Sequence, residues 1–389
     1  MSLICGRSKQ SLVGDMESLH MVILVLLVLL GLNLIQNIKG MRINGNHRVE
    51  KTMPLISVLI PARNEEERIG RCAASLLKSD YPHLEIIILD DNSRDKTYEV
   101  VQCLSQYHKN LRIIKGQKLP PGWNGKNWAC HQLAHAAKGE WFLFTDADTC
   151  HSPNSVSTAF EAAKKSQSHF VTAIPGLIMK TWAEKLILPV IHFAFIVLLP
   201  YKLINFSNNS RVAIGIGPFL FIQRRCYFSC GGFEAIKTEI LDDMALARRV
   251  KQIKAKLSVI DGTEIVKVRF YTCFKEVWSG FSKNAFQAIG SSPHFLFGIS
   301  LACYFLFVYP YFCLGTAVYY GQSITLPFIQ VLIVSAIKLT LSTRFKTSII
   351  FSLLHPIMII LTLLILFNSF RLTLFGKKIE WKERFYPVE

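Results

Sequence analysis

Apolar residues are concentrated at the two ends of the chain, whereas the middle alternates short apolar runs with polar segments. Leu19 to Ile35 contains no Lys, Arg, Asp or Glu, which predicts a helix about long enough to cross a bilayer core of roughly 30 Å. Three further apolar runs close the chain, at Phe295 to Tyr320, Leu326 to Leu341 and Thr347 to Phe367. The middle one is short and could be re-entrant. The pattern predicts a central soluble domain flanked by membrane segments.

The central segment alternates β-rich runs with runs of helical period, which is typical of an α/β fold with a mainly parallel sheet and helices on both faces. Strands are predicted at LISVLIPA, LEIIILDD, LRIIKG and EWFLFTDAD, and helices over Glu65 to Lys78 and SRDKTYEVVQCLSQY. Ligands of such sheets bind beyond the carboxyl ends of the strands. The residues there, most of them polar, are Pro61, Ala62, Arg63, Asn64 and Glu65 at the end of the first strand, Asp90 and Asp91 at the end of the second, and Asp146 and Asp148 at the end of the fourth.

Asp146 and Asp148 stand one residue apart at the end of an apolar run. Clustered carboxylates repel a phosphate unless a metal lies between them, so the pair predicts a site for a hard divalent cation, Mg²⁺ or Mn²⁺, that bridges to a diphosphate. An Asx-turn at a strand end explains one aspartate but not the convergence with Asp91. No G-x-G-x-x-G follows the first strand and no P-loop occurs, which excludes those two nucleotide-binding classes.

Composition and charge narrow the class of protein. The 389 residues are 51% hydrophobic, which favours a membrane protein with one soluble domain. The formal net charge of +17 comes without zinc-finger spacing or basic runs interleaved with aromatics, so we expect adhesion to anionic lipid and no nucleic acid partner.

Lys39, Arg42, Arg48 and Lys51 follow the first apolar run, which places the central domain in the cytoplasm by the positive-inside rule. The ten cysteines form no C-x-x-C pair and are expected to be reduced.

Five motifs between Ser57 and Lys251, in the order SVLIPARNEEERI, IILDDNSRDKT, WNGKNWAC, FTDADT and EILDDMALARRVK, resemble the membrane-bound family 2 glycosyltransferases. The resemblance implies a nucleotide-sugar-binding domain of the GT-A type, in which Asp146 and Asp148 are the D-x-D that reaches metal and diphosphate. It also implies that the Pro61 to Glu65 loop, with Asp90 and Asp91, contacts the nucleotide, and that Lys126 lies near it.

The segment LDDMAL corresponds to the E-D motif of this family, with Asp243 as catalytic base and Asp242 in place of the usual glutamate. The base would remove a proton from the acceptor while UDP leaves from the opposite face, inverting the anomeric configuration. Read from the residues alone, the same two acids could simply cap a helix.

The Q-x-x-R-W motif of processive members is replaced by EVWSGFSKNAF. Trp278 is a candidate acceptor platform and Lys283 a candidate cation near the diphosphate, although an interfacial amphipathic helix explains both without catalysis. WSGFSKN, LLHPIMII and FGKKIEWKERFYP resemble the branch of carotenoid-acid (4,4'-diaponeurosporenoate) and hopanoid-associated glycosyltransferases. This resemblance implies transfer of one sugar from UDP-glucose or a similar donor to a membrane lipid.

These inferences predict the following organisation: an N-terminal segment 1–17, an anchor 18–37, a cytosolic GT-A domain 54–270 with a nucleotide-sugar half 54–150 and an acceptor half 151–270, an interfacial linker 271–294, a membrane region 295–367 and a basic tail 368–389. Within the acceptor half, the apolar stretch 183–204 is interrupted by Pro189 and Pro200 and is expected to lie in the membrane interface or to line an acceptor groove. If it crossed the membrane, Asp146 and Asp243 would lie on opposite sides.

Three alternatives remain open at this point. A polyprenyl-phosphate glycosyltransferase would need little base catalysis, because its acceptor is already an anion. A polysaccharide synthase is disfavoured by the missing Q-x-x-R-W. A non-catalytic membrane scaffold that binds nucleotide sugar is disfavoured because Asp91, Asp146, Asp148 and Asp243 are all present.

Overall fold

The computed structural model describes residues 2–42, 53–207, 209–375, 379–381 and 384–386. Arg48 and Lys51, on which the predicted orientation partly rests, lie outside the described residues, as do Lys377 and Lys378 of the basic tail. The chain divides into two compact units. The sheet unit comprises Ile38–Met179, Pro200–Thr272 and Phe375–Glu389, and the helical unit comprises Met1–Asn37, Lys180–Leu199 and Cys273–Leu374.

The strands are β1 Ile56–Ala62, β2 Leu84–Asp90, β3 Leu111–Lys115, β4 Trp141–Phe144, β5 Thr149–His151, β6 Phe170–Leu177, β7 Leu220–Gln223, β8 Leu257–Val268, β9 Ile379–Trp381 and β10 Arg384–Tyr386. The α-helices are α1 Ser2–Met41, α2 Ile69–Leu76, α3 Thr97–Tyr107, α4 Gly125–Ala136, α5 Ser155–Ser166, α6 Trp182–Ile187, α7 Val190–Phe193, α8 Tyr201–Phe206, α9 Arg224–Ser229, α10 Asp242–Gln252, α11 Phe274–Ala288, α12 Pro293–Phe307, α13 Tyr309–Tyr320, α14 Thr325–Arg344, α15 Ile349–Leu353 and α16 His355–Leu374.

The main sheet of the sheet unit has the strand order β3-β2-β1-β4-β7-β6-β8-β5. The four strands predicted from sequence form its parallel half, in which β1 pairs with both β2 and β4, and β2 pairs with β3. The other half is mixed, because β7 runs antiparallel to β4 and β6, and β5 runs antiparallel to β8. The sheet is therefore less uniformly parallel than the sequence pattern predicts, but the carboxyl ends of β1, β2 and β4 share one edge as expected.

The core explains why these runs become strands. In β1, Ile56, Val58, Leu59 and Ile60 are fully buried, so both faces of the strand are covered and its apolar run is nearly continuous. Helix α2 presents its buried residues to the same core cluster. Burial of this kind stabilises by roughly 1.5–3 kcal/mol for each large aliphatic side chain.

Helices α2 and α3 begin later in the chain than the acidic residues before them predict. The backbone amide of Glu65 donates to Thr97 Oγ1 at 2.8 Å, and Glu65 O accepts from the amides of Arg68 and Ile69, so residues 65–68 form a turn before α2 starts. Helix α3 starts at Thr97, whose amide and hydroxyl both donate to Asp95 Oδ1. Two of the acids before the helices tie these loops together, because Glu66 Oε2 accepts from the Lys96 amide and Asp95 Oδ2 accepts from the Glu66 amide.

Strand β4 ends at Phe144, before the acidic residues that the sequence pattern includes in it. Thr145 Oγ1 donates to Pro218 O at 2.7 Å and lies 3.0 Å from both Thr149 Oγ1 and His151 Nε2. This buried polar network fixes the 145–149 loop against the loop that precedes β7.

The helical unit contains three helices that are long and apolar enough to cross a membrane, by length and composition, within the described residues: Met16–Met41, Thr325–Arg344 and His355–Leu374. The predicted run Phe295 to Tyr320 is not one straight helix, because the chain breaks at Val308 between α12 and α13, with Pro310 in the first turn of α13. The middle run, which looked short in sequence, is a complete helix of 20 residues.

The stretch 183–204 is divided into short pieces. Helices α6 and α7 are followed by a π-helical turn over Ala194–Leu198, and Leu199 has an extended backbone. Among the described residues, this stretch is not one of the helices long enough to span a membrane. Its placement in the interface, or along an acceptor groove, stays a prediction.

Candidate active site

Lys126 joins the acidic loop after β4 to the start of α10. Its Nζ lies 3.0 Å from Asp146 Oδ1 and 3.3 Å from Asp242 Oδ2. The next residue, Asn127, is fully buried and donates from Nδ2 to Ile236 O at 2.8 Å and to Glu239 O at 2.9 Å, so α4 is fixed to the segment that leads into α10. Asp146 and Asp242 belong to motifs that lie far apart in sequence, FTDADT and EILDDMALARRVK, and both contact the same ammonium group.

Asp243 is held beside this ion pair by backbone amides. Gly217 N donates to its Oδ2 and Met244 N to its Oδ1, both at 2.8 Å. A Cβ built on Gly217 would lie 3.3 Å from Asp146 Oδ2, 3.5 Å from Asp243 Oδ2 and 3.6 Å from Lys126 Nζ. Gly217 therefore marks the point at which the candidate diphosphate site and the candidate base meet.

Burial perturbs the titration of these groups. Burial, followed by the charge of Asp242, raises the pKa of Asp243 to about 6. Burial also raises the pKa of Asp242, against the opposing effect of Lys126. For Lys126, burial lowers the pKa but the charges of Asp146 and Asp242 outweigh it, so the pKa lies well above its usual value. A carboxylate with a pKa near 6 is suited to accept a proton near neutral pH.

Asp148 has the properties of a cation ligand. Its Oδ1 is buried and has no hydrogen-bond partner among the described residues. Burial, then the charge of Asp146 and then that of Glu65, raise the pKa of Asp148 to about 7. A buried carboxylate oxygen without a donor, next to a second carboxylate, fits a hard divalent cation. Among the described residues, no group of three or more His, Cys, Asp or Glu is arranged to hold a metal.

An open cavity of about 220 Å³ lies over these groups in the sheet unit. It is lined by Pro61, Ala62, Arg63, Glu65, Arg68, Asp91, Lys126, Ala129, Asp146, Ala147 and Asp148. Most of the predicted nucleotide-binding residues therefore border one cavity. Asp242 borders a smaller adjoining cavity with Gly217 and Cys130.

Three predicted nucleotide-binding residues also brace the loops. Arg63 Nη1 donates to Asp91 O at 2.6 Å and Asn92 O at 3.0 Å. Asn64 has a left-handed backbone (φ +52°) and accepts from the Arg94 amide, and Asp90 Oδ1 accepts from the Ser93 amide. Neither Asn64 nor Asp90 is among the residues that line the cavity.

Trp278 and Lys283 lie on α11, in the helical unit. Trp278 is half-buried with its ring 5.9 Å from that of Phe274, and Lys283 is exposed. Their suggested roles toward acceptor and diphosphate stay predictions.

Sequence reasoning missed Gly215, Gly217 and Arg68. The signal for the two glycines was the pair in AIGIGPF before a buried strand, because closely spaced glycines there indicate close backbone approach. Arg68 adds a third cationic side chain to the cavity lining, beside Arg63 and Lys126, and its Nη1 lies 3.7 Å from Glu65 Oε2.

Gly215 gives a first prediction. A Cβ at this position would lie 2.0 Å from Asp243 O and 2.5 Å from Asp243 C, both backbone atoms that cannot rotate away. We expect Gly215→Ala to displace the start of α10 and to lower the free energy of unfolding by about 1–3 kcal/mol. Thermal unfolding in detergent measures this. Gly298→Ala is the control, since nothing lies within 4 Å of its added Cβ; equal melting temperatures for both variants would contradict the prediction.

Comparison with known proteins finds a family match over part of the chain. Residues 57–228, which contain β1 to β7 and the acidic loop, match the family described as Glycosyl transferase family 2. Residues 57–228 are thus similar to the family 2 glycosyltransferases. The match spans the cavity residues after β1, β2 and β4, together with Gly215 and Gly217.

Relatives named 4,4'-diaponeurosporenoate glycosyltransferase extend the similarity of this glycosyltransferase beyond the family 2 domain. That of Staphylococcus aureus (strain USA300) is 24% identical over 366 residues, which cover 90% of this chain and 92% of the relative. That of Staphylococcus haemolyticus (strain JCSC1435) is 23% identical over 259 residues, covering 65% and 67%.

The fold is that of a known glycosyltransferase structure. A mannosyltransferase from Pyrobaculum calidifontis, in complex with GDP-Man and Mn²⁺, matches with a TM-score of 0.52 at 15% identity, covering 93% of this chain and 99% of that one. The predicted GT-A architecture is thereby confirmed, with apolar helical regions on either side of it in sequence.

Proposed function

We propose that this glycosyltransferase moves a single sugar from a UDP-sugar, with UDP-glucose as the first candidate, to a membrane lipid, with inversion at the anomeric carbon. The observation that carries the proposal is the position of Lys126, which joins Asp146 of the acidic loop to Asp242, beside Asp243. A donor site and a candidate base thus meet within one cluster of charges.

The donor diphosphate belongs in the cavity over Lys126, Asp146 and Asp148. Lys126 offers a compact cation toward a phosphate oxygen, and Arg68 offers another in the lining of the same cavity. Asp146 and Asp148 would hold a divalent metal, Mg²⁺ or Mn²⁺, which when bound offsets the negative charge that grows on the leaving diphosphate. The loops braced by Arg63 and Asn64 form the wall for the nucleotide.

Asp243 is placed to act as general base. Its carboxylate removes the proton of the acceptor hydroxyl as the new bond from that oxygen to the anomeric carbon forms and the bond to the diphosphate oxygen breaks. The amides of Gly217 and Met244 fix the carboxylate while leaving one lone pair on each oxygen for the proton. A single displacement of this kind inverts the anomeric configuration.

The lipid acceptor is supported by two observations. First, a relative that is similar over 90% of this chain is named as a glycosyltransferase of 4,4'-diaponeurosporenoate, a carotenoid acid. The helical unit carries three helices that can cross a membrane, and few of the residues of the Met16–Met41 helix are buried within the protein. A hopanoid or another isoprenoid or glycolipid precursor with a hydroxyl fits both this description and the base role of Asp243. A carotenoid acid fits the description as well, but its carboxylate would take the sugar with no proton for Asp243 to remove. Lys39 and Arg42 at the end of α1 favour a cytoplasmic position for the sheet unit.

The proposal is tested by UDP release from a panel of UDP-sugars by the detergent-purified chain, with total membrane lipid, in the presence and absence of Mg²⁺ or Mn²⁺. We expect release that needs both metal and lipid and is lost in Asp148→Asn. Glu99→Gln, an exposed change on α3, is the control and should retain full activity. Release that is independent of lipid and unchanged in Asp148→Asn would contradict the proposal.

A further inference from the structure

A second group of buried polar residues lies in the helical unit, on α14 and α16. Lys338 is 3% exposed, and its ammonium contacts a single polar acceptor among the described residues, Met358 Sδ at 3.6 Å. His355 is 0% exposed, and neither of its ring nitrogens has a hydrogen-bond partner among the described residues. Both residues belong to helices long and apolar enough to cross a membrane.

Geometry brings these two side chains together. Met358, which Lys338 contacts, lies one helical turn after His355 on α16, so the ammonium is beside the first turn of that helix. The imidazole of His355 lies between two aromatic rings, with centroids 4.9 Å from Phe193 and 5.5 Å from Phe307. Apolar rings thus pack against His355, and the Lys338 ammonium lies about one helical turn from His355 along α16.

The charge in this cluster is not balanced by the protein. No Asp or Glu occurs between residues 277 and 374, and none of the ion pairs among the described residues involves Lys338. The first turn of α16 adds the positive end of a 20-residue helix. A buried cation without a counter-charge is strongly unfavourable, and ionisable groups inside membrane segments usually serve a ligand.

The depth of the cluster suits a lipid head group. Lys338 lies six residues before Arg344, which ends α14, a distance of about 9 Å along a helix axis. Arg344 and Lys346 mark the end of the apolar stretch, where basic side chains reach the membrane surface. To reach Lys338 from that surface, a lipid head group needs to enter the membrane by less than two turns of α14.

We propose that Lys338 and His355 form a binding site for the anionic group, carboxylate or phosphate, of a membrane lipid. The lipid oxygen accepts a hydrogen bond from the Lys338 ammonium and from a ring N–H of His355, and the anion balances the positive end of α16. The apolar tail of the lipid lies along the helices. This site concerns binding alone and does not depend on sugar transfer.

The test uses the full chain in a non-ionic detergent and measures lipid binding by native mass spectrometry and by the shift in melting temperature. The probes are oleate for a carboxylate, phosphatidylglycerol for a phosphate and phosphatidylcholine as the zwitterionic comparison. We expect an anionic probe to bind and to raise the melting temperature, and phosphatidylcholine to do neither. The stronger of the two anionic probes identifies the head group.

Lys338→Met should weaken binding of that probe by about tenfold or more, as expected for a lost charge-assisted hydrogen bond. Lys346→Met removes the same charge from an exposed position two residues after the end of α14 and is the matched control. Because Lys338→Met removes an unbalanced buried charge, we expect it to fold and to melt at or above the wild-type temperature without lipid. Equal loss of binding in both variants, or equal binding of phosphatidylcholine, would overturn the proposal.

Discussion

Asp243→Asn is expected to lower turnover by about 10²–10⁴-fold while leaving the donor site intact, since general-base assistance is worth about that much. Asparagine keeps the size of the side chain and can still accept from one of the two amides, Gly217 N or Met244 N, but it cannot take a proton. The measurement is kcat for UDP release with saturating donor, metal and lipid, together with the affinity for UDP. Turnover within a few-fold of wild type would show that the acceptor needs no base, as expected for a phosphate or carboxylate acceptor.

The same residue sets a pH dependence. Burial and the charge of Asp242 raise the pKa of Asp243 to about 6. The carboxyl is therefore protonated and inactive as a base below that pH, and activity should rise as pH increases through about 6. In Asp243→Asn the residual rate should lack this rise. A profile that is flat between pH 5 and pH 7.5 in the wild-type enzyme would contradict the assigned role.

Lys126→Met is expected to be the most damaging change to the donor site. It leaves Asp146 and Asp242 without their shared cation, and both carboxylates would then repel a diphosphate. Truncating one partner of a buried charge pair costs roughly 3 kcal/mol, so we expect kcat/KM for the donor to fall by about 100-fold or more. The melting temperature should fall as well.

The matched control for Lys126 is Lys118→Met, an exposed lysine that precedes the same helix. It removes the same charge without touching the two acids. If both variants kept wild-type kcat/KM, or if both lost it equally, the ion pair with Asp146 and Asp242 would have no special part in donor binding.

Much of the sheet unit was predictable because its strands are buried on both faces. The runs ISVLIPA and LEIIILD are nearly continuous in apolar residues, and the structure pairs them in parallel from Ile56 and Leu84 to Ala62 and Asp90. The antiparallel partner β7 was not predicted, because a strand of four residues carries little periodic signal. The starts of α2 and α3 were placed too early, because the acids before them bind the neighbouring loop.

The candidate site was predictable at the level of residue type and sheet edge, but not as a constellation. That Lys126 would join Asp146 to Asp242 depends on the register between α4 and α10, which Asn127 sets through carbonyls of residues 236 and 239. Gly217 contributes only backbone, so no side-chain pattern could assign it. The helix break at Val308 and the division of 183–204 into short helices could not be predicted, because they depend on side-chain packing and not on apolar composition alone.

The central claim is that one sugar passes from a UDP-sugar to a membrane lipid at the cluster around Lys126 and Asp243. It is tested most directly by mass spectrometry of total membrane lipid after incubation with the purified enzyme, UDP-glucose and Mn²⁺, with Asp243→Asn run in parallel. The account predicts a lipid whose mass has increased by one hexose residue, formed by the wild-type enzyme and nearly absent with the variant. A ladder of many hexose units, or UDP release with no glycosylated lipid from any donor of the panel, would contradict it.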